Sequence, residues 1–516
     1  MRLTSCFLIY YLLIMANQTT QQHRMRLRSS GCLRWSYLPQ EIRRNILDTI
    51  VDQRNPRWST LASVSKEWQS VIGTRNMAKL NLRPSCLEDF EQAVVRQRDL
   101  VRHIYLNVEL TEYKCTLCKN KFAVTIAEKN NRLMSKVVTK LLTILSTWNT
   151  TGPLMLELNA SSASDSKHWF KNFRFNDEHD APYSRDSVIP MEGMHSDWHD
   201  PKHGWENGVR VKPPPISANK RLFGLINLNG PPYSILNVNA VTRFMIRRQF
   251  RHRLSPREFA SLLSKFSRLT DLVYEPWPQK YTDSYRYPWD PALIDMHLPR
   301  TLKRVILFQD FKQYLTENIR QDLDHSYYAI LPIHWSKFNL TGNAKSIAQT
   351  SLRLNELAVS FFIDALNFFK ACEEEWTWDY LQSLSLTSSL LLQNIKEQKG
   401  RIDSLLITAA KFLLRMPNLT TMALWSGGTG KACAFIYTRT KHYAHVTWRG
   451  TWDLEISRQV LEAWEGVAKL HSVELRVRHE HLQEIIRSHG DAIFHLNLPC
   501  QVIEPTSLWQ IRMEDA

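Results

Sequence analysis

Residues 38–51 read Leu-Pro-Gln-Glu-Ile-Arg-Arg-Asn-Ile-Leu-Asp-Thr-Ile-Val, and residues 59–72 read Ser-Thr-Leu-Ala-Ser-Val-Ser-Lys-Glu-Trp-Gln-Ser-Val-Ile. The first part carries an apolar stripe at helical spacing, formed by Ile42, Ile46, Leu47 and Ile50. The second part carries another, formed by Leu61, Val64, Trp68 and Val71. Pro39 suits the first helical turn, and Asn55-Pro56 marks a break. The stretch therefore predicts two short helices that need the rest of the chain or a partner to bury both stripes.

This stretch resembles an F-box, the module through which substrate receptors dock on the Skp-type linker subunit of SCF ubiquitin ligases. The resemblance rests on Leu38-Pro39 with Glu41-Ile42, the Ile46-Leu47 pair, and Leu61-x-x-Val64-Ser65-Lys66-x-Trp68. One departure is Pro56-Arg57-Trp58, which stands in place of the usual Asp-Leu. The resemblance implies an F-box at residues 35–75 whose linker-binding residues are Leu38, Pro39, Ile42, Ile46, Leu47, Leu61, Val64, Ser65 and Trp68. The alternative is a helical hairpin that belongs to a larger core.

Length and composition favour a folded protein of several units. The chain has 516 residues, of which 43% are hydrophobic and 11% aromatic, so it can bury a large core and disorder is not the main expectation. The net charge of +16 is compatible with nucleic acid, an anionic membrane or acidic partners. The basic clusters His23–Arg34 and Arg247–Arg253 lack the interleaved aromatic residues of a single-strand binder. A solvated basic face is the simpler interpretation, and nucleic acid is not expected to be the main ligand.

The N-terminus carries an apolar run from Cys6 to Ala16, which has the length of a signal-peptide core and is too short to span a bilayer. No clear small-x-small cleavage site follows it. Eight scattered cysteines fit a reducing compartment better than a disulfide framework. Residues 1–34 are therefore predicted to be a non-structural or signal-like extension, with Met15 or Met25 as alternative starts. The protein is predicted to be cytoplasmic, nuclear or both, without a stable membrane span.

After residue 75, short apolar strands alternate with amphipathic helices. The predicted strands are Lys79–Leu82, Ile104–Leu110 and Pro153–Leu158, and the predicted helices are Leu87–Val101 and Asn131–Trp148. This alternation favours parallel pairing through crossovers. Residues 76–160 are therefore predicted to form a first α/β repeat-like segment.

Residues 161–220 lose this periodicity, are rich in Asp, His, Pro and Trp, and contain Pro213-Pro214-Pro215. A stretch of this kind inside a domain is typical of a lid or a mobile loop. It is predicted to be an irregular loop insertion that lies outside the core.

Residues 221–516 resume the alternation with a recurring unit, in which an apolar residue and two polar ones precede alternating apolar residues. The unit occurs at Leu262–Leu272, Leu298–Leu307, Leu381–Leu386, Met416–Leu424 and, more weakly, Leu470–Val477. These units look like leucine-rich repeats. The repeats would be irregular, because the spacing between units is too uneven for a regular horseshoe. The predicted fold class is α/β, with a small helical F-box followed by an irregular leucine-rich-repeat-like α/β solenoid. An ordinary α/β domain is the alternative.

The last third also resembles the C-terminal domain of unknown function that follows the F-box in many filamentous-fungal proteins. The residues that carry this resemblance are Ala423–Gly428, Lys431–Tyr437 and Thr447–Leu454. It implies a fungal F-box domain-containing protein and no particular chemistry. From the residues themselves, Gly427–Gly430 predicts the turn of a hairpin.

No complete catalytic or metal-binding motif is present. Gly430-Lys431 does not make a phosphate-binding loop, because Trp425 and Ala432 occupy the positions of its first glycine and its hydroxyl residue. Cys115-x-x-Cys118 could supply half of a zinc site, with His103 and His179 as helpers. His195, His199 and His203 recur at intervals of four, but Pro201 argues against a helix there, which leaves a metal site in a loop as an alternative. Reduced thiols and a solvated polar loop are the simpler interpretations, so we expect no catalytic residue, no metal and no cofactor.

The expected function is that of a substrate-recognition subunit of an SCF-type E3 ubiquitin ligase. Its partners would be the Skp-type linker, a cullin and a protein substrate whose identity the sequence does not show. It would not be an enzyme itself, because catalysis would be supplied in trans. The alternative is a non-ligase F-box-like scaffold or a basic nucleic-acid-binding protein.

Overall fold

A computed structural model describes residues 35–53, 58–119, 124–149, 152–175, 198–228, 237–278, 298–312, 315, 341–392 and 398–515. The chain divides into two compact units, Met1–Leu80 and Asn81–Ala516. The predicted extension, residues 1–34, lies outside the described residues. Within the described ranges, no helix has the length and apolar character needed to cross a membrane.

In its described residues, the first unit contains two α-helices, α1 (Gln40–Asp52) and α2 (Lys66–Ala78). Short 3-10 turns at Trp35–Tyr37 and Trp58–Ser63 precede them. The second predicted helix begins later than its apolar stripe, because Ser65 caps α2 and its Oγ accepts a hydrogen bond from the Trp68 backbone N–H at 3.3 Å. The core of this unit consists of Leu47, Ile50, Val51, Trp68 and Ile72.

The second unit is built on a large sheet, and the division between the units falls within its first strand, β1 (Lys79–Leu82). Among the described residues this sheet has twelve strands, whose order in the sheet follows their order in the chain. After β1 they are β2 (His103–Glu109), β3 (Leu154–Ser161), β7 (Val241–Ile246), β9 (Asp271–Tyr274), β10 (Arg304–Phe308), β11 (Glu356–Ser360), β12 (Ser383–Thr387), β13 (Thr421–Gly428), β14 (Lys431–Arg439), β15 (Tyr443–Gly450) and β16 (Glu474–His481). Two small ribbons lie apart from it: β4 (Trp205–Glu206) pairs with β5 (Val209–Arg210), and β6 (Leu225–Ile226) pairs with β8 (Arg253–Leu254).

Most strand pairs of the large sheet are parallel. Every neighbouring pair from β2 to β13 is parallel, β14 is antiparallel to both of its neighbours, and β15 pairs with β16 in parallel. The predicted mixture of helices and parallel strands is thus confirmed. Each of the five recurring units found in the sequence leads into a strand of this sheet, namely β9, β10, β12, β13 and β16.

Helices connect the strands, as parallel pairing requires. Among the described residues, the helices between strands are α3 (Leu87–Ala93), α4 (Val124–Ser146), α5 (Ala163–Lys167), α6 (Ile216–Leu222), α7 (Pro256–Leu263), α8 (Thr341–Ser351), α9 (Ala365–Ala371), α10 (Lys399–Leu413) and α11 (Arg458–Leu470). Two more helices, α12 (His489–Leu496) and α13 (Pro505–Asp515), follow the last strand. Helix α3 is shorter than the predicted Leu87–Val101. Between Val95 and Leu100 the chain is polar, so a further helical turn would have no apolar residue to bury.

One face of the sheet is covered by the last two helices. Ala492 and Leu496 of α12 and Ile511 of α13 pack with Ile306 and Trp425 of the sheet in one buried cluster. The predicted hairpin at Gly427–Gly430 is confirmed, because β13 and β14 pair antiparallel across it. A β-carbon at Gly427 would lie 2.3 Å from that of Ala492, so glycine permits the close approach of β13 to α12.

The prediction that residues 161–220 lie outside the core is wrong for the described parts of that segment. Trp169, Phe170, Phe173 and Phe175 are buried in a second apolar cluster, together with Ala218. These parts also contain α5, α6 and the ribbon β4–β5. Large aromatic side chains bury much apolar surface each. A few of them can therefore anchor a segment to the core even though its sequence has no helical or strand periodicity.

Candidate functional site

The predicted linker-binding residues divide into a buried and an exposed group. Leu47 is completely buried and Trp68 nearly so, and both belong to the core of the first unit. Ile46 and Leu61 are half-buried against the same core. These four residues are therefore better placed to hold the unit together than to contact a partner.

The remaining predicted residues lie at the surface of the unit. Ile42 on α1 is 45% exposed, and Val64, just before α2, is 55% exposed. Pro39 is exposed and stands at the N-cap position of α1, where its side chain makes no capping hydrogen bond, so it does not occupy the first helical turn as predicted. Leu38 is half-buried, and Ser65 is exposed while it caps α2. Leu38, Pro39, Ile42 and Val64 are called the apolar surface set below.

Glu67 joins the two helices of the unit, which sequence patterns did not reveal. Its Oε2 accepts a hydrogen bond from Trp35 Nε1 at 2.7 Å, and its Oε1 accepts one from Arg43 Nε at 2.7 Å. The Trp35 ring in turn lies 5.4 Å from that of Trp68, between centroids. These contacts fix α1 against α2 and so define the shape of the surface that carries the apolar surface set.

A second candidate site lies in the second unit, where two cysteines and two histidines converge. The ligating atoms of Cys115, Cys118, His168 and His203 all lie within 4.8 Å of one another. His203 Nε2 is 3.3 Å from Cys115 Sγ and 3.4 Å from Cys118 Sγ, and the two sulfurs are 4.0 Å apart. These four residues are called the Cys/His cluster below.

Asp200 holds the imidazole of His203 in this orientation. Its Oδ2 lies 2.7 Å from His203 Nδ1 and 3.2 Å from Lys171 Nζ. Burial alone would raise the pKa of Asp200, but these two partners outweigh it and lower the pKa. A carboxylate paired with Nδ1 makes that nitrogen the protonated one, so Nε2 presents its lone pair to the sulfurs.

The turn that carries the cysteines is held from α6. Arg221 Nη2 donates to the Leu117 carbonyl at 2.6 Å and Nη1 to the Cys118 carbonyl at 3.3 Å. Ser217 Oγ donates to the Lys119 carbonyl at 2.9 Å. These bonds satisfy the carbonyls at the end of the short 3-10 turn Cys115–Leu117 and directly after it, and so tie the turn to α6.

His168 follows α5, whose start is closed by a capping box between Ser162 and Asp165. The Nδ1 atom of His168 is buried and has no hydrogen-bond partner among the described residues. Burial, with the neighbouring His203, lowers the pKa of His168. Burial and then the Cys115 thiol raise the pKa of Cys118.

The turn that carries His203 depends on one glycine. Gly204 has a φ of +74°, and a β-carbon there would lie 2.4 Å from the Lys212 carbonyl oxygen. Any side chain at this position would clash with the Lys212 carbonyl oxygen. It would also strain the backbone, because residues with a β-carbon rarely adopt the left-handed region. Gly204 therefore ends the Pro201–His203 turn and sends the chain into β4.

Sequence reasoning proposed the cysteine pair with His103 and His179 as helpers, whereas the described histidines that join it are His168 and His203. His103 instead lies 2.9 Å from the Glu157 carboxylate, and His179 and His195 lie outside the described residues. His199 is exposed and does not belong to the cluster. His168 was not singled out at all, because nothing in its immediate sequence marks it. Only the fold brings it beside His203, with 4.8 Å between ring centroids.

The basic cluster Arg247–Arg253 is not the solvated face that the sequence suggested. Arg248 and Arg251 are almost completely buried. Arg248 pairs with Asp310 and Glu514, and Arg251 also pairs with Glu514. These guanidinium groups serve an internal ion network and are not available to nucleic acid.

Comparison with known proteins yields one family match. Residues 297–504 match a family of unknown function, DUF6546. The matched region runs through β10–β16 and includes α12, but neither the first unit nor the Cys/His cluster falls within it. No curated protein matches the chain.

Proposed function

We propose that this chain is a substrate receptor of an SCF-type ubiquitin ligase and that its first unit docks on the Skp-type linker. The observation that carries the proposal is the division of the predicted stretch into a packed core and an apolar surface. Leu47 and Trp68 are buried, whereas Ile42 and Val64 keep about half of their side chains in water. Single exposed apolar residues are common on protein surfaces, so the proposal also rests on the F-box resemblance, which assigns these same positions to the linker.

Docking through this surface would supply binding energy without refolding the unit. Burying one such side chain contributes about 1.5–3 kcal/mol. Leu38 and Pro39 precede α1, where an apolar side chain gives no capping benefit. Contact with a partner is therefore the better explanation for these two residues.

The second unit would present the substrate. Its strands follow one another in chain order, and the recurring Leu-x-x-Leu-type units lead into five of them. This supports the irregular leucine-rich-repeat-like solenoid expected from the sequence, which would offer an extended surface to a protein target. The DUF6546 match over residues 297–504 assigns no chemistry to this unit, because the family is of unknown function.

In this function the chain has no catalytic residue of its own. A cullin and a recruited E2 would supply the chemistry, while the receptor raises the effective concentration of target lysines near the E2. Such a receptor would work in the cytoplasm, the nucleus or both. Among the described residues, the Arg247–Arg253 cluster does not support the nucleic-acid alternative, because its arginines are buried.

The test is direct binding of the full chain to a purified Skp-type linker. Replacement of both Leu38 and Pro39 with Ala should weaken binding about a hundredfold or more, since about 1.4 kcal/mol is a tenfold change in affinity. The second unit should keep its thermal stability, because neither residue belongs to it. A double variant that binds the linker as well as the parent would refute the docking role of this surface.

A further inference from the structure

We propose that Cys115, Cys118, His168 and His203 bind one zinc ion in a closed, structural site. This site is independent of the proposed ligase function. Its ligands come from three segments: the turn after β2, the residue that follows α5, and the turn before β4.

The distances within the cluster match the edges of a zinc tetrahedron. Zinc lies about 2.3 Å from thiolate sulfur and about 2.0–2.1 Å from imidazole nitrogen. Tetrahedral angles then place two sulfurs about 3.8 Å apart and a sulfur about 3.6 Å from a nitrogen. The observed sulfur–sulfur distance is 4.0 Å, and the two sulfur–nitrogen distances to His203 are 3.3 and 3.4 Å.

His168 completes the set of four ligands. Its ligating nitrogen lies within 4.8 Å of the other three ligating atoms, so it has to move by only about 1 Å to reach a tetrahedral edge. Its Nδ1 is buried and has no hydrogen-bond partner among the described residues. Coordination through this atom would satisfy a polar group that otherwise carries a desolvation cost.

The surroundings of the cluster are those of a metal site. The Asp200–His203 pair reproduces the carboxylate–histidine–metal arrangement, in which the carboxylate fixes the ring and makes the ligating nitrogen more basic. Two thiolates balance the charge of a divalent ion, and two thiolates with two imidazoles favour zinc over harder cations. Four protein ligands leave no open position for substrate, so the site is structural rather than catalytic.

A cysteine nucleophile activated by a Cys–His–Asp triad is the competing interpretation. Cys115 Sγ lies within hydrogen-bonding distance of His203 Nε2, and His203 Nδ1 lies within that distance of Asp200 Oδ2. That arrangement requires neither a second thiol nor a second imidazole. Here Cys118 lies almost as close to His203 as Cys115 does. Cys118 and His168 both lie close to Cys115 and His203. A bound metal ion explains this convergence of four ligating atoms, whereas a catalytic triad does not.

Metal content of the full chain tests the proposal. The protein is expressed in zinc-supplemented medium, purified without chelator and analysed by mass spectrometry for metals. We expect about one zinc per chain, with most of it lost in Cys115→Ser and in His203→Asn. Cys86→Ser and His199→Asn are the matched controls, because neither residue belongs to the cluster, and both variants should retain zinc as the parent does.

Cobalt(II) binding to the parent protein tests the proposed site even if the ligand variants fail to fold. Metal-free parent protein is titrated with cobalt, and thiolate-to-cobalt absorption together with the visible bands of tetrahedral cobalt is expected. A parent without stoichiometric zinc and without thiolate-to-cobalt absorption overturns the proposal. So does a folded Cys115→Ser that retains as much zinc as Cys86→Ser. Rapid alkylation of Cys115 that zinc does not slow would instead support the nucleophile.

Discussion

Arg248 Nη2 donates to Glu514 Oε2 at 2.6 Å, although the two residues are 266 positions apart in the chain. Glu514 is buried and also pairs with Arg251, while Lys312 Nζ lies 3.6 Å from it. The carboxylate therefore ties the last helix, α13, to a group of buried cations. These cations would otherwise lack part of their charge compensation.

Glu514→Gln should destabilise the second unit by about 3–5 kcal/mol, because removing one partner leaves buried positive charge uncompensated. Urea denaturation at neutral pH measures this change through the transition midpoint. Glu465→Gln is the control, since it makes the same chemical change at an exposed position and should alter stability by less than about 0.5 kcal/mol. Equal effects of the two substitutions would contradict the role given to Glu514.

The same carboxylate should set part of the acid sensitivity. Burial alone would raise the pKa of Glu514, but Arg248, with Arg251 and Lys312, outweighs it and lowers the pKa to about 2. A lowered pKa adds stability that is fully present above the ordinary carboxyl value of 4.5 and is lost as the pH falls from there towards 2. In urea denaturation across this window, the stability of the parent should fall more steeply than that of Glu514→Gln. Parallel curves would show that Glu514 does not titrate with the depressed pKa.

Val64→Asp should abolish or strongly weaken binding to the Skp-type linker, because it places a charge within a surface proposed to become buried. Val95→Asp provides a closely matched control, since Val95 is 54% exposed and Val64 is 55% exposed. Titration calorimetry with the purified linker compares the two variants. Similar affinities for both would place the docking surface elsewhere.

Ser65→Ala should destabilise the first unit by about 1 kcal/mol without creating a cavity, because it removes the cap of α2. Ser70→Ala is the control within the same helix, where the side chain is exposed. Hydrogen–deuterium exchange of peptides from α2, measured by mass spectrometry, reports on this unit separately from the second one. A loss for Ser70→Ala as large as that for Ser65→Ala would mean that the cap contributes nothing.

Asp200→Asn should weaken zinc binding about 10–100-fold while all four ligands remain, because the partner that orients His203 is replaced. Competition with a chromogenic chelator measures the affinity. Glu206→Gln removes a nearby exposed carboxylate and should leave the affinity unchanged. If Asp200→Asn binds zinc as tightly as Glu206→Gln does, then Asp200 does not support the site.

Local patterns in the sequence were enough to predict much of the secondary structure. The recurring apolar units lead into strands such as β9 and β13, because alternation along a strand and spacing along a helix reflect burial of neighbouring residues. The hairpin at Gly427–Gly430 followed from turn chemistry alone. The α1 stripe around Leu47 likewise identified buried positions of the first unit.

Tertiary structure decided what the polar residues do. The Arg247–Arg253 cluster looked like a solvated face, yet its partner Glu514 comes from the far end of the chain. In residues 161–220, the run from Trp169 to Phe175 contains four aromatic residues, a signal for burial that the lack of periodicity concealed. Local sequence patterns do not predict which residues will pair over separations as long as that between Arg248 and Glu514.

The Cys/His cluster also depends partly on local sequence and partly on tertiary structure. The sequence by itself determined that two thiols lie one turn apart at Cys115 and Cys118. It did not determine that His203, 88 positions after Cys115, would lie 3.3 Å from it. That juxtaposition depends on the packing of Trp169, Phe170 and Ala218 around the cluster, and such packing arises from the sum of many weak long-range contacts rather than from any local pattern.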